Sequence, residues 1–131
     1  MHASLIFKTV PAQDSLRFGS GDSFNPKLVA DFMDLDKAAV SKLASVAKSS
    51  VRYDDHIPRA VLERLEEIGA VVNMVAEIFE GDREKTALWF RTKNPMLGDI
   101  SPRDMVRLGR YDRLRRFIIS AMQDNGPPSA N

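Results

Sequence analysis

Residues 58–82 read PRAVLERLEEIGAVVNMVAEIFEGD. Val61, Leu65, Ile68, Val72, Val75 and Phe79 recur at intervals of 4, 3, 4, 3 and 4, the spacing of one face of a helix. Pro58 suits a first helical turn, and Gly81-Asp82 stops the helix and caps the next one. The sequence therefore predicts one long helix from Pro58 to about Glu80, with Glu63, Glu66, Glu67, Glu77 and Glu80 off the apolar seam. Such a seam has two uses. It can zip against a second copy as a coiled coil, or it can be the central helix of a bundle.

On either side the same periodicity continues. Upstream, Asn25-Pro26 reads as a cap followed by a first-turn proline, opening a short helix with Leu28, Val29 and Phe32 on one face. Asp36 can cap another helix whose inner face is Ala39, Val40 and Leu43, and a break at Ser45 to Ala47 precedes a further short helix carrying Val51. Downstream, Ala87, Leu88, Trp89 and Phe90 are consecutive, which predicts a helix buried on more than one side. Trp89 is expected against the long helix near Val75 and Phe79. Asn94-Pro95 and Gly98-Asp99 mark a loop, and Ser101-Pro102 with Asp104 reads as another helix start. A last helix carries Tyr111, Leu114, Phe117, Ile118, Ala121 and Met122 and ends at Asn125-Gly126-Pro127-Pro128. No segment longer than four residues alternates in the strand period with β-branched enrichment, so the expected fold class is all-α. Residues 1–24 form an N-terminal arm, 25–57 a helix-turn-helix-like region, and 58–131 a small helical bundle with a C-terminal tail.

Composition narrows the function. The chain has 131 residues, 19 Lys and Arg against 18 Asp and Glu, and a net charge of +1, so any nucleic-acid contact must be a local patch. There is no cysteine, which excludes disulfides, thiolate metal sites and Cys nucleophiles. The two histidines, His2 and His56, are far apart, and Asp54-Asp55-His56 is the one close carboxylate–imidazole cluster, read as a solvated turn. No phosphate-binding loop, zinc-protease or nucleophile-elbow pattern occurs. The chain is expected to be no enzyme and to need no cofactor or metal. MHASLIFK is too short an apolar run for a signal peptide, and no run nears the roughly 18 apolar residues of a membrane span, so the expected compartment is the cytoplasm and no membrane contact is expected.

Two patches remain. Residues 35–53 fit a helix-turn-helix loosely, with Val40, Leu43, Val46 and Val51 as its core. Its second helix, over 47–54, would present Lys48, Ser49, Ser50, Arg52 and Tyr53 to a major groove. Arg suits guanine edges, and Ser and Lys suit phosphates. Ser45 stands where Gly is usual, Ala47 where a capping Ser or Thr is expected, and Asp54-Asp55 repel phosphate, so an ordinary helical hairpin is the competing reading. From Arg103 to Arg116 six arginines face two aspartates, a local net of +4. That patch reads either as a solvated face or as a surface for an anionic ligand or acidic partner.

Residues 78–122, IFEGDREKTALWFRTKNPMLGDISPRDMVRLGRYDRLRRFIISAM, resemble the toxin-binding domain of Xre/MbcA/ParS-like antitoxins. The likeness rests on the order Ile78-Phe79, Gly81-Asp82, Ala87 to Trp89, Asn94 to Leu97, Pro102 to Val106, Gly109, and Tyr111 to Met122. It covers about a third of the chain. Asp99 stands where many members carry Gly. The resemblance implies a helix-turn-helix upstream, in the place of residues 35–80. It also implies a partner: a RES-domain toxin that consumes NAD or transfers ADP-ribose, held inactive by a covered active site. Such a pair, as a homodimer or a larger assembly, would also bind operator DNA and repress its own operon. On that reading the toxin-binding residues are the apolar Met96, Leu97 and Met122, the arginines Arg110, Arg113 and Arg116, and the tail groups Asp124, Asn125 and Asn131. The alternative is a free-standing helix-turn-helix transcriptional regulator.

Overall fold

The computed structural model describes residues 18–20 and 23–125. They are mostly helical, as an all-α chain should be. A minimal antiparallel pairing comes first: β1 (Gly19–Ser20) faces β2 (Ser23–Phe24), with Gly19 opposite Phe24. Six α-helices follow among the described residues: α1 (Pro26–Phe32), α2 (Lys37–Ala44), α3 (Arg59–Ile78), α4 (Arg83–Arg91), α5 (Pro102–Arg107) and α6 (Tyr111–Asn125). Two 3-10 turns, Lys48–Ser50 and Pro95–Leu97, lie between them. No helix among the described residues is long and apolar enough to cross a membrane.

The helix starts are set by the capping chemistry read from the sequence. Asn25 accepts from the Lys27 amide at 3.1 Å, Asp36 from Ala39 at 2.8 Å, Asp82 from Lys85 at 3.0 Å and Ser101 from Asp104 at 3.1 Å. Each bond satisfies an amide that the first helical turn leaves open.

α3 is the axis of the fold. Its seam residues Val61, Leu65, Ile68, Val72 and Val75 are all buried within this one chain, and so are Gly69, Ala70, Val71 and Ala76 on other sides. The seam is therefore covered from within the chain, with α1, α2, α4 and α6 packed on it. Gly69 lies at a close approach: a Cβ there would lie 3.0 Å from Val29 Cγ2, so any larger residue would make the α1 side chain give way. One core cluster runs from Phe18 and Val29 through α3 to Leu114 and Ile118. The boundary expected between residues 57 and 58 falls in the loop before α3 and does not divide that core.

Four expectations differ from the structure. The second short helix over 47–54 is a single 3-10 turn, and Val51 is buried beyond it in extended backbone. Ala47 supplies no capping side chain, and Lys48, Ser49 and Ser50 all face solvent, so no apolar stripe holds a longer helix. α4 is amphipathic rather than buried all round: Thr86 and Phe90 are buried one turn apart, while Leu88 is 58% exposed. The deep aromatic is Phe90, with Trp89 half-buried and packed edge-on against it at 5.0 Å. On α1 the inward face is Val29, Ala30 and Met33, leaving Leu28 on the outside.

Candidate nucleic-acid and partner surfaces

The residues expected to read DNA do not share a helix face. Lys48, Ser49 and Ser50 form the exposed 3-10 turn. Arg52 follows outside any helix and grips Asp54 through both Nε, at 2.8 Å, and Nη2, at 2.6 Å. That bidentate bond, joined by the His56 amide at 3.0 Å, holds the Asp54 carboxyl below its ordinary range. The guanidinium proposed for guanine is thus neutralised locally. Tyr53 is half-buried, with Lys27 5.9 Å from its ring centre, and burial pushes its phenol up, with Asp31 adding to the shift. Asp54, Asp55 and His56 are the one carboxylate–imidazole group close enough to hold a metal ion among the described residues; all three are exposed and Asp54 is already committed to Arg52.

A different pair of helices is joined by a short turn. α1 and α2 are joined by four residues, 33–36. Asp34 adopts the left-handed region at φ 56°, and the Leu35 amide bonds back to Ala30 O at 2.8 Å. Ala30, Leu35, Ala39, Val40 and Leu43 are buried. Lys37, Ala38 and Lys42 are left on the outside of α2. Ser45 closes α2 in the left-handed region, at φ 58°, and Ser41 donates its hydroxyl to Val46 O at 2.6 Å.

The C-terminal candidates divide. Met96 is 66% exposed at the tip of the 3-10 turn that Asn94 caps, its amide bonding Asn94 Oδ1 at 2.9 Å. Leu97 is only 6% exposed and belongs to the core, which removes it as a contact residue: the same turn that lifts Met96 out drives Leu97 in. Met122 is half-buried against the core. Arg113 and Arg116 are exposed on α6, and Arg110 is exposed on the turn before it. Asp124 is exposed in the last turn of α6, and Asn125 is its final residue, so neither belongs to a free tail. Asn131 lies outside the described residues. Two further apolar side chains face out: Leu108, 54% exposed beside α5, which no motif marked, and Leu88, which the apolar run had placed in a buried helix.

A groove of about 360 Å³ separates α3 from α6, with Ala70, Val71, Met74 and Ile119 along it and Arg64, Tyr111 and Arg115 at its polar end. Arg64 ties this end together. Its Nε donates to Leu43 O at 2.9 Å, its Nη1 lies 3.0 Å from Glu67 and 3.6 Å from Asp112, and its guanidinium stands 5.3 Å from the Tyr111 ring centre. Burial pushes the Tyr111 phenol well above its ordinary range, with Glu67 adding to the shift. A second groove, of about 500 Å³, runs between α2 and α5 and is lined by Asp36, Ala38, Lys42, Arg107 and Leu108 among others. Comparison of the chain with protein-family models, with curated proteins and with solved structures finds no match.

Proposed function

We propose that the chain is the antitoxin of a RES-domain toxin: it binds the toxin, covers its NAD site and blocks turnover. The observation that carries this reading is the succession of separately capped elements over residues 82–122. Asp82 opens α4, Asn94 the 3-10 turn and Ser101 α5, and Gly109 at φ 83° precedes α6. That is the order on which the resemblance to Xre/MbcA/ParS-like toxin-binding domains rests. Asp99, where that family often carries Gly, takes the left-handed conformation a glycine would, at φ 65°. The toxin-facing side is assigned to Met96, an adaptable apolar anchor at an exposed tip, with Arg113, Arg116 and the outer part of Met122.

The helix-turn-helix is assigned to α1 and α2 rather than to residues 35–53. A four-residue turn with a left-handed residue within it supports this assignment. α2 is then the recognition helix, with Lys37 and Lys42 for phosphates or guanine edges and the Ala38 methyl for thymine. Through it the chain, alone or with toxin bound, represses its own operon. The free-standing regulator keeps the same helix pair and has no toxin. One experiment separates the two: co-expression with the product of the adjacent reading frame and capture through a tag on this chain. Recovery of a stoichiometric RES-domain protein supports the antitoxin. A neighbour of another kind, or no capture, overturns it in favour of the regulator.

A further inference from the structure

We propose that the turn over residues 107–110 forms, with the adjoining edge of α2, one surface for the backbone of double-stranded DNA, with Arg107 and Arg110 taking phosphates beside the bases that α2 reads. The proposal rests on the assignment of α1 and α2 as a helix-turn-helix. It adds to that pair a contact from the C-terminal half of the chain.

Ala39, Val40 and Leu43 fix which way α2 faces, because all three are buried. Lys37, Ala38 and Lys42 are exposed, and Ala38 and Lys42 line the groove between α2 and α5. The turn after α5 closes the other side of that groove and touches α2 directly: a Cβ on Gly109 would lie 3.1 Å from Lys42 Cδ. Gly109, at φ 83°, therefore brings the neighbouring residues 108 and 110 alongside the recognition helix.

An α-helix is about 10–12 Å across with its side chains, and the major groove is about 12 Å wide. A helix seated there has a phosphate strand along each flank. Whatever packs beside it on the DNA-facing side lies over one of those strands. On the Lys42 flank, that neighbour is the 107–110 turn.

The charges fit this occupant. Lys37, Lys42, Arg107 and Arg110 stand against Asp36 and Asp104 in this region. Asp36 is committed to the Ala39 amide at 2.8 Å, and Asp104 to Arg107 at 3.3 Å. Arg110 is exposed and has no ion-pair partner among the described residues. In a chain of net charge +1, this places the exposed Arg110 guanidinium, with Arg107 able to exchange Asp104 for a phosphate, where a duplex seated on α2 needs them. The turn also joins α5 to α6 in the toxin-binding half, so a toxin that shifts or covers it changes DNA affinity without touching α2.

The test is fluorescence anisotropy of a labelled duplex carrying the sequence upstream of the chain's own reading frame. Binding is measured across a salt series with the wild type, with Arg110→Gln and with the Arg107→Gln, Arg110→Gln double variant. Folding of each is checked by circular dichroism. Each lost phosphate contact reduces the slope of log affinity against log salt by about 0.9. The expected slope therefore falls by about 1 for the single variant and about 2 for the double. Preference over a scrambled duplex should be unchanged, while Lys37→Ala and Ala38→Gly should alter that preference. If the wild type binds and the arginine variants keep its slope, the turn is off the DNA and the proposal falls while the helix-turn-helix stands. If the wild type binds no duplex at the lowest salt, the helix-turn-helix assignment falls and takes the proposal with it.

Discussion

Replacing Phe90 by alanine probes how α4 is set into the core. Phe90 is 1% exposed, and its ring meets Phe32 edge-on at 6.1 Å and Trp89 at 5.0 Å. Deleting a fully buried phenylalanine costs about 3–5 kcal/mol, the lost transfer energy plus a cavity the surroundings only partly close. Two edge-to-face contacts, each worth about 0.5–1.5 kcal/mol beyond area, place Phe90→Ala in the upper part of that range. Trp89 keeps part of its indole in water, so Trp89→Ala is expected to cost about 1.5–3 kcal/mol, with a smaller cavity. The assay is urea unfolding followed by far-ultraviolet circular dichroism, since the chain's single tryptophan is itself a variable here. Midpoint shifts are compared at a common slope. For a domain stable by about 5–15 kcal/mol, the Phe90 loss is a large share of the total, and it detaches α1 from α4 through Phe32. A Trp89→Ala cost equal to or above that of Phe90→Ala would refute the placement. It would mean that the helix is turned by one residue and the indole is the buried ring.

Ser45→Gly should raise stability by about 0.5–1 kcal/mol in the same titration, because Ser45 caps α2 in the left-handed region at φ 58°, where a glycine carries no Cβ penalty; an unchanged or lower midpoint would place the strain elsewhere. Burial, with Glu63 and Glu67 nearby, raises the Glu66 carboxyl above its ordinary 4.5, so the folded chain binds that proton more tightly than the unfolded one. Its contribution is favourable below the unfolded value and is lost as pH rises through the folded one. Glu66→Gln should therefore raise the melting temperature at pH 7, with the gain shrinking towards pH 4, and a gain independent of pH would contradict the burial argument. Truncation after Asn125 leaves α6 whole and removes the residues that follow; if those residues enter the toxin's basic cleft, inhibition should weaken by at least tenfold with folding unchanged, about 1.4 kcal/mol of binding. Equal inhibition would leave the helical surface as the blocker.

The parts of this fold that are legible in the sequence are those governed by local chemistry. Asn25, Asp36, Asp82 and Ser101 each satisfy amides two or three residues on, so the cap and the helix it starts are written in one short stretch. The α3 seam is similar: its spacing fixes a face, though only the packing of α1, α2, α4 and α6 shows that this chain fills it. What was hidden depends on phase or on partners far away in sequence. Four consecutive apolar residues do not say which one points inward, and α4 turns on Thr86 and Phe90. Leu97 and Met96 are neighbours of similar polarity, and a 3-10 turn sends them to opposite sides. The turn between α1 and α2 carries no glycine signal either, because Asp34 takes its left-handed position. The basic turn beside α2 comes from residues more than sixty positions downstream, and only the folded chain brings Gly109 against Lys42.

Inhibition of an NAD-consuming toxin is measured directly as NAD loss catalysed by the adjacent-frame protein, with and without this chain. The toxin alone should consume NAD. A molar equivalent of the folded chain should stop it, and Met96→Glu should restore turnover while leaving the circular dichroism spectrum unchanged, since Met96 is 66% exposed. NAD loss at the same rate with and without the wild-type chain, both proteins being folded, would contradict the claim.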